Sequence, residues 1–148
     1  MNVERLLALA DILDRGGVGT VGFDMQTYYC RGNPNGVCGT TACIAGHAVL
    51  TFGTEAEVQS SPAHYGGIAT KLLGFEVIPA LFFLYEIRTP YEAAWLIRTA
   101  IKRDISFDDP DALYDLAREA RGMRHPKRHP KRRRGPRRLR PGWRVNHE

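Results

Sequence analysis

The sequence lacks any apolar run approaching the roughly 18 residues of a membrane span. Its N-terminus interleaves charged and apolar residues from Glu4 onward, where a signal peptide would run apolar. A membrane-spanning or secreted chain is therefore not expected, and the cytoplasm is the expected compartment. Cysteine is scarce: three residues, an odd number that cannot form a complete disulfide framework and that a reducing compartment would keep as thiols. Acidic residues are almost missing from the last 26 positions, where Glu148 stands alone. What is present fits a folded domain. Apolar residues make up 43% and charged residues 25% of the 148 positions, close to the globular average, and the length suits one domain rather than two.

The overall net charge of +5 hides a division. Residues 1–122 carry 10 Lys/Arg against 15 Asp/Glu, and residues 123–148 carry 11 Lys/Arg against that single glutamate. The first part is mildly acidic and the second strongly basic. The basic segment contains a tandem Arg-His-Pro-Lys at 124–127 and 128–131, with further prolines at 136 and 141. Frequent proline removes backbone donors, and like charges extend the chain. Leu139, Trp143 and Val145 are its only sizeable apolar groups beyond Met123. Such a segment is expected to be a disordered, partly polyproline-like tail, giving a helical domain over 1–122 and an Arg/Pro-rich tail over 123–148.

Within the first part, helical periodicity predicts five or six helices. The first runs from about Val3 to Arg15, capped by Asn2 and stopped by Gly16-Gly17. Residues 18–40 are glycine-rich and irregular, with an extended piece near Phe23, Met25 and Tyr28. A second helix starts at Thr40 or Thr41 and runs to Phe52, with Gly53 as the residue after the C-cap. It is apolar nearly all round and so central. Further helices are expected over about Pro62–Leu73 and Pro79–Glu86. Another follows the capping box Thr89-Pro90-Tyr91-Glu92 to about Arg103, and a last one runs from Asp109-Pro110 to Gly122. The fold class is all-α: a compact bundle with an irregular Gly-rich loop and a basic tail.

The cysteines fall in Cys30-x7-Cys38-x4-Cys43-x3-His47. Three thiolates and one imidazole match the preference of tetrahedral Zn²⁺. On a helix starting at Thr41, Cys43 and His47 would lie one turn apart, a chelating pair. This string resembles the Cys3His zinc fingers that bind single-stranded RNA, which implies zinc as a cofactor and a metal-stabilised nucleic-acid module. The packing alternative is that Cys38 and Cys43 are small buried hydrophobes and His47 a satisfied helix histidine.

The segment Cys38-Gly39-Thr40-Thr41-Ala42-Cys43-Ile44-Ala45 is also similar to the catalytic segment of bacteriocin-processing, papain-like peptidases. That resemblance implies a thiol hydrolase with Cys38 as nucleophile at a helix N-terminus. It also requires a histidine base, for which the sequence offers His64 without the downstream β pattern. More broadly, Phe23-Asp24-Met25, Cys38 to Gly46, Leu72-Leu73-Gly74, Leu81-Phe82 and Thr89-Pro90 resemble a group of small uncharacterised proteins from bacteriophages and actinobacteria. In that group the position of His47 is often tryptophan, and the basic tail is absent. This resemblance implies a phage or prophage accessory protein in a bacterial host cell and carries over no activity.

The tail points to a polyanion. Arg124, Lys127, Arg128, Lys131, Arg132, Arg133, Arg134, Arg137, Arg138, Arg140 and Arg144 are the expected nucleic-acid-binding residues. Arginine predominates, which favours bidentate phosphate contacts and stacking on bases. Trp143 alone is no stacking platform. The expected partner is DNA or RNA bound without sequence preference, with no catalysis and no stable membrane anchor.

Overall fold

A computed structural model describes residues 1–19, 21–25 and 41–122, Thr41 by its backbone alone. Cys30, Cys38, Tyr28 and all of 123–148 lie outside the described residues. Among those described, six α-helices carry the fold: α1 (Val3–Asp14), α2 (Ile44–Phe52), α3 (Glu55–Gln59), α4 (Tyr65–Leu72), α5 (Pro90–Lys102) and α6 (Pro110–Gly122). Two short strands, β1 (Gly22–Phe23) and β2 (Thr41–Ala42), pair in parallel, with Gly22 opposite Thr41 and Phe23 opposite Ala42. The class is all-α, as the periodicity implies.

Helix α1 starts where expected: the Asn2 side chain accepts from the Arg5 N–H at 3.0 Å. Its face Leu6, Leu9, Ala10 and Leu13 is fully buried against α5, which contributes Ala93, Ala94, Leu96, Ile97 and Ala100. Across this contact Arg98 of α5 reaches both Asp11, at 2.6 Å, and Asp14 of α1. Helix α5 opens with the predicted capping box, Thr89 accepting from the Glu92 N–H at 3.2 Å while Glu92 accepts from the Thr89 N–H at 3.2 Å. Its other side meets α6 through Leu113, Leu116, Ala117 and Ala120.

Helix α2 is the central element that its composition predicts: six consecutive residues, Ile44 to Val49, are buried, and it packs chiefly on α4. Its start differs from expectation. Thr41 and Ala42 are extended and paired with β1, so the N-cap is Cys43 and the helix begins at Ile44. Its end differs too. Gly53 has φ −74°, not a left-handed conformation; it is required because a Cβ would come within 2.5 Å of the Val49 carbonyl oxygen. The expected helix from Pro62 is split into a 3₁₀ turn (Pro62–His64) and α4, and the apolar stretch after Pro79 forms a 3₁₀ turn (Ala80–Phe83) that buries Leu81 and Phe82.

Three helices end in the same way. In α1, α4 and α5 the residue after the C-cap is left-handed: Gly16 at φ +101°, Gly74 at +70° and Asp104 at +54°. The residue beyond each donates back to the helix: Gly17 to the Ile12 carbonyl, Phe75 to Thr70 and Ile105 to Ala100.

Candidate functional site

Of the sequence-predicted site residues, the described structure includes Cys43 and His47; Cys30, Cys38 and the eleven tail cations lie outside it. Cys43 and His47 sit on successive turns, and the His47 N–H donates to the Cys43 carbonyl at 2.9 Å. Cys43 is extended, with φ −81° and ψ −175°, because its chain is leaving β2. Its sulfur therefore faces the amides of Ala45 and Gly46 at the helix start, which favour a thiolate. Burial outweighs them, and with a smaller push from the Asp24 carboxylate it raises the thiol pKa above its ordinary value. Cys43 is a protonated, buried thiol rather than a ready nucleophile.

His47 is fully buried. Its Nδ1 accepts from the Val18 N–H at 3.2 Å, which places the proton of the neutral ring on Nε2. Nε2 makes no well-formed hydrogen bond among the described residues, although the Gly22 carbonyl attracts its proton. The ring stacks on Phe23 of β1, with centroids 6.0 Å apart and planes 12° from parallel. Its remaining edge meets Gly17. This glycine has φ +105°, and a Cβ there would lie 2.6 Å from Cε1 and 3.1 Å from Nε2 of the imidazole. Burial lowers the His47 pKa to about 4, with the Gly22 carbonyl partly opposing it. The imidazole is neutral at physiological pH, and its accepting nitrogen is engaged by the backbone, so it is a poor general base.

Of the four expected zinc ligands, only Cys43 and His47 are among the described residues. They lie on adjacent turns, and the Nδ1 of His47 is engaged by the Val18 N–H. Among the described residues no group of three or more His, Cys, Asp or Glu side chains is arranged to hold a metal. His64, the other body histidine, is exposed in the 3₁₀ turn before α4.

The described body spends much of its positive charge on itself. Arg103 is held bidentately by Glu119 at 2.8 and 2.9 Å, and Arg98 by Asp11 and Asp14. Arg118 pairs with Asp115 at 3.5 Å. Arg121 donates to the Glu86 carbonyl at 3.0 and 2.8 Å. Arg5 donates to the Leu72 carbonyl at 2.7 Å and lies over the Phe52 ring. Arg5, Arg98 and Arg103 join helices, Arg121 ties α6 to the loop at Glu86, and Arg118 pairs within α6. No helix among the described residues is long and apolar enough to cross a membrane.

Sequence reasoning did not anticipate the β1–β2 pair, the burial of His47 against Gly17, or a groove at the ends of α4 and α5. That groove encloses about 300 Å³ between Met1, Phe75, Ile105 and Phe107, with Asp104 and Asp108 at its rim. Comparison of the chain with protein-family models, with curated proteins and with solved structures finds no match.

Proposed function

We propose that this chain is a small phage-type accessory protein that contacts nucleic acid electrostatically through residues 123–148, largely without sequence preference and without catalysis. The observation that carries the reading is the segregation of charge: 11 of the 21 Lys/Arg stand in the last 26 residues beside one acid. The acidic body, meanwhile, engages Arg5, Arg98, Arg103, Arg118 and Arg121 internally. The body supplies a fold, and the segment after Gly122 supplies the affinity. Burial of Cys43, which raises its thiol pKa, disfavours a nucleophilic role at that position. Retention on a nucleic-acid column tests the reading: the full chain is retained and a chain ending at Gly122 flows through. Equal retention of the two forms contradicts it.

The spacing of Cys43 and His47, one turn apart at the start of α2, supports a second reading, a zinc-stabilised nucleic-acid module with Cys30, Cys38, Cys43 and His47 as ligands; binding through Nε2 would require the Val18 N–H to release Nδ1, which would then carry the ring proton. Zinc bound there would supply folding free energy and no reaction step. Protein purified without chelator would then contain about one equivalent of zinc and unfold when chelator is added; metal-free, chelator-resistant protein excludes it.

A further inference from the structure

The groove beside Met1 is built by helix ends. Phe75 and Ile105 are the residues that donate back to α4 and α5 after their left-handed turns, at 2.9 Å in both cases, and both are half-buried. Phe107 closes the floor, with its ring edge to face with Phe75 at 5.8 Å. The resulting volume of about 300 Å³ matches the lower end of ligand pockets and has room for one or two side chains. Its rim is acidic. Asp104 and Asp108 are both exposed, and neither side chain makes an ion pair among the described residues. Asp104 occupies a left-handed position at φ +54°, where glycine would be favoured, and so places a carboxylate at the lip.

An apolar floor with a carboxylate rim suits a peptide that alternates arginine with one or two large apolar side chains. The chain itself carries such a sequence: Arg138-Leu139-Arg140-Pro141-Gly142-Trp143-Arg144-Val145. The connection is long enough. Helix α6 begins at Pro110, two residues past the rim, and its 13 residues end at Gly122, about 20 Å away at 1.5 Å per residue. Fifteen residues, 123–137, reach at most about 50 Å, so the length of the connection allows residues 138–145 to return to the groove.

We propose that the groove between Met1, Phe75 and Ile105 seats residues 138–145 of the same chain, apolar side chains inward and arginines on Asp104 and Asp108, and that nucleic acid competes for this segment. The competition rests on the reading of 123–148 as the polyanion-contacting segment; seating itself is measurable without nucleic acid. Two rim carboxylates face 11 cations, so docking weakens phosphate binding and does not abolish it.

Methyl NMR of the full chain tests seating. Replacing Leu139 and Trp143 together by alanine is expected to shift the Met1 and Ile105 methyl resonances and leave Ile44, in the core, unmoved. The shift persists over tenfold dilution, because the contact is within one chain. Unmoved Met1 and Ile105 signals overturn the proposal. So does a shift that vanishes on dilution, which would assign the groove to the segment of a second copy. For the competition, D104N/D108N is expected to bind a single-stranded oligonucleotide about three- to fourfold more tightly, the factor for a segment seated in about four-fifths of molecules whose seated form binds about tenfold more weakly. Asparagine keeps the left-handed conformation at 104. The pair E55Q/D115N, which removes two exposed charges that do not line the groove, stays within about twofold. Equal gains from both pairs would reduce the effect to net charge and overturn the competition.

Discussion

Gly16 and Gly17 share a left-handed backbone, at φ +101° and +105°, and differ in their surroundings: nothing stands within 4 Å of a Cβ at Gly16, whereas the His47 ring stands against one at Gly17. Alanine at either position pays the left-handed penalty of about 1–2 kcal/mol. Only G17A must also displace a buried imidazole, adding about 1–3 kcal/mol. Urea denaturation should therefore rank G17A well below G16A; equal midpoints would mean that the ring is not confined by Gly17. His47 also makes a pH signature. Its folded pKa of about 4 lies below the unfolded value of 6.5, so between these limits the unfolded chain binds the extra proton. The stability from the neutral buried ring is complete above about pH 6.5 and is lost as pH falls toward 4, a total of about 3 kcal/mol. In chelator-containing buffer, H47Q should be less stable at neutral pH yet lose less stability over that interval. Parallel curves for H47Q and the parent would contradict burial of a neutral imidazole.

Two helices carry the same N-terminal device with different consequences. The capping box of α5 starts a helix that fills the centre of the bundle, whereas that of α3, Thr54 with Glu57, starts a helix with no buried residue. T89A should cost about 1 kcal/mol of global stability. T54A should chiefly raise hydrogen exchange within α3 and leave the global midpoint nearly unchanged; equal losses of global stability from both would contradict this separation. The contrast also explains what could be read in advance. Long helices with an apolar face and a cap, α1, α5 and α6, are legible from spacing because the signal is local. Helix α3 has its Thr-x-x-Glu signature but no apolar period, so nothing in five residues marked it as a helix. The start of α2 misled for a different reason: Thr41 and Ala42 lie in register with Gly22 and Phe23, and the Ala42 carbonyl accepts from the Asp24 N–H at 3.0 Å; a contact with residues so far away in sequence overrides a local capping preference. The spacing of Cys43 and His47 was visible, but not that Val18 takes Nδ1 or that Gly17 walls the ring, because both come from the turn after α1.

At the scale of the whole molecule, charge is segregated along the sequence, and the proposed function assigns the two parts different tasks. Among the described residues, the buried apolar side chains run from Leu6 to Ala120 and form one core shared by α1, α2, α4, α5 and α6. Arg98 and Arg103 tie α1 to α5 and α5 to α6, leaving the cations after Gly122 as the proposed source of attraction for phosphate. The most direct test is nucleic-acid affinity as a function of salt, for the full chain and for residues 1–122, with helix content followed by circular dichroism. The account predicts the same body helicity in both. For the full chain on duplex DNA, log K should fall against log[salt] with a slope of about −5, as for about six neutralised phosphates, and the shorter form should show no measurable binding. A shorter form that binds with the same affinity and slope, or one that loses its helices, would contradict it.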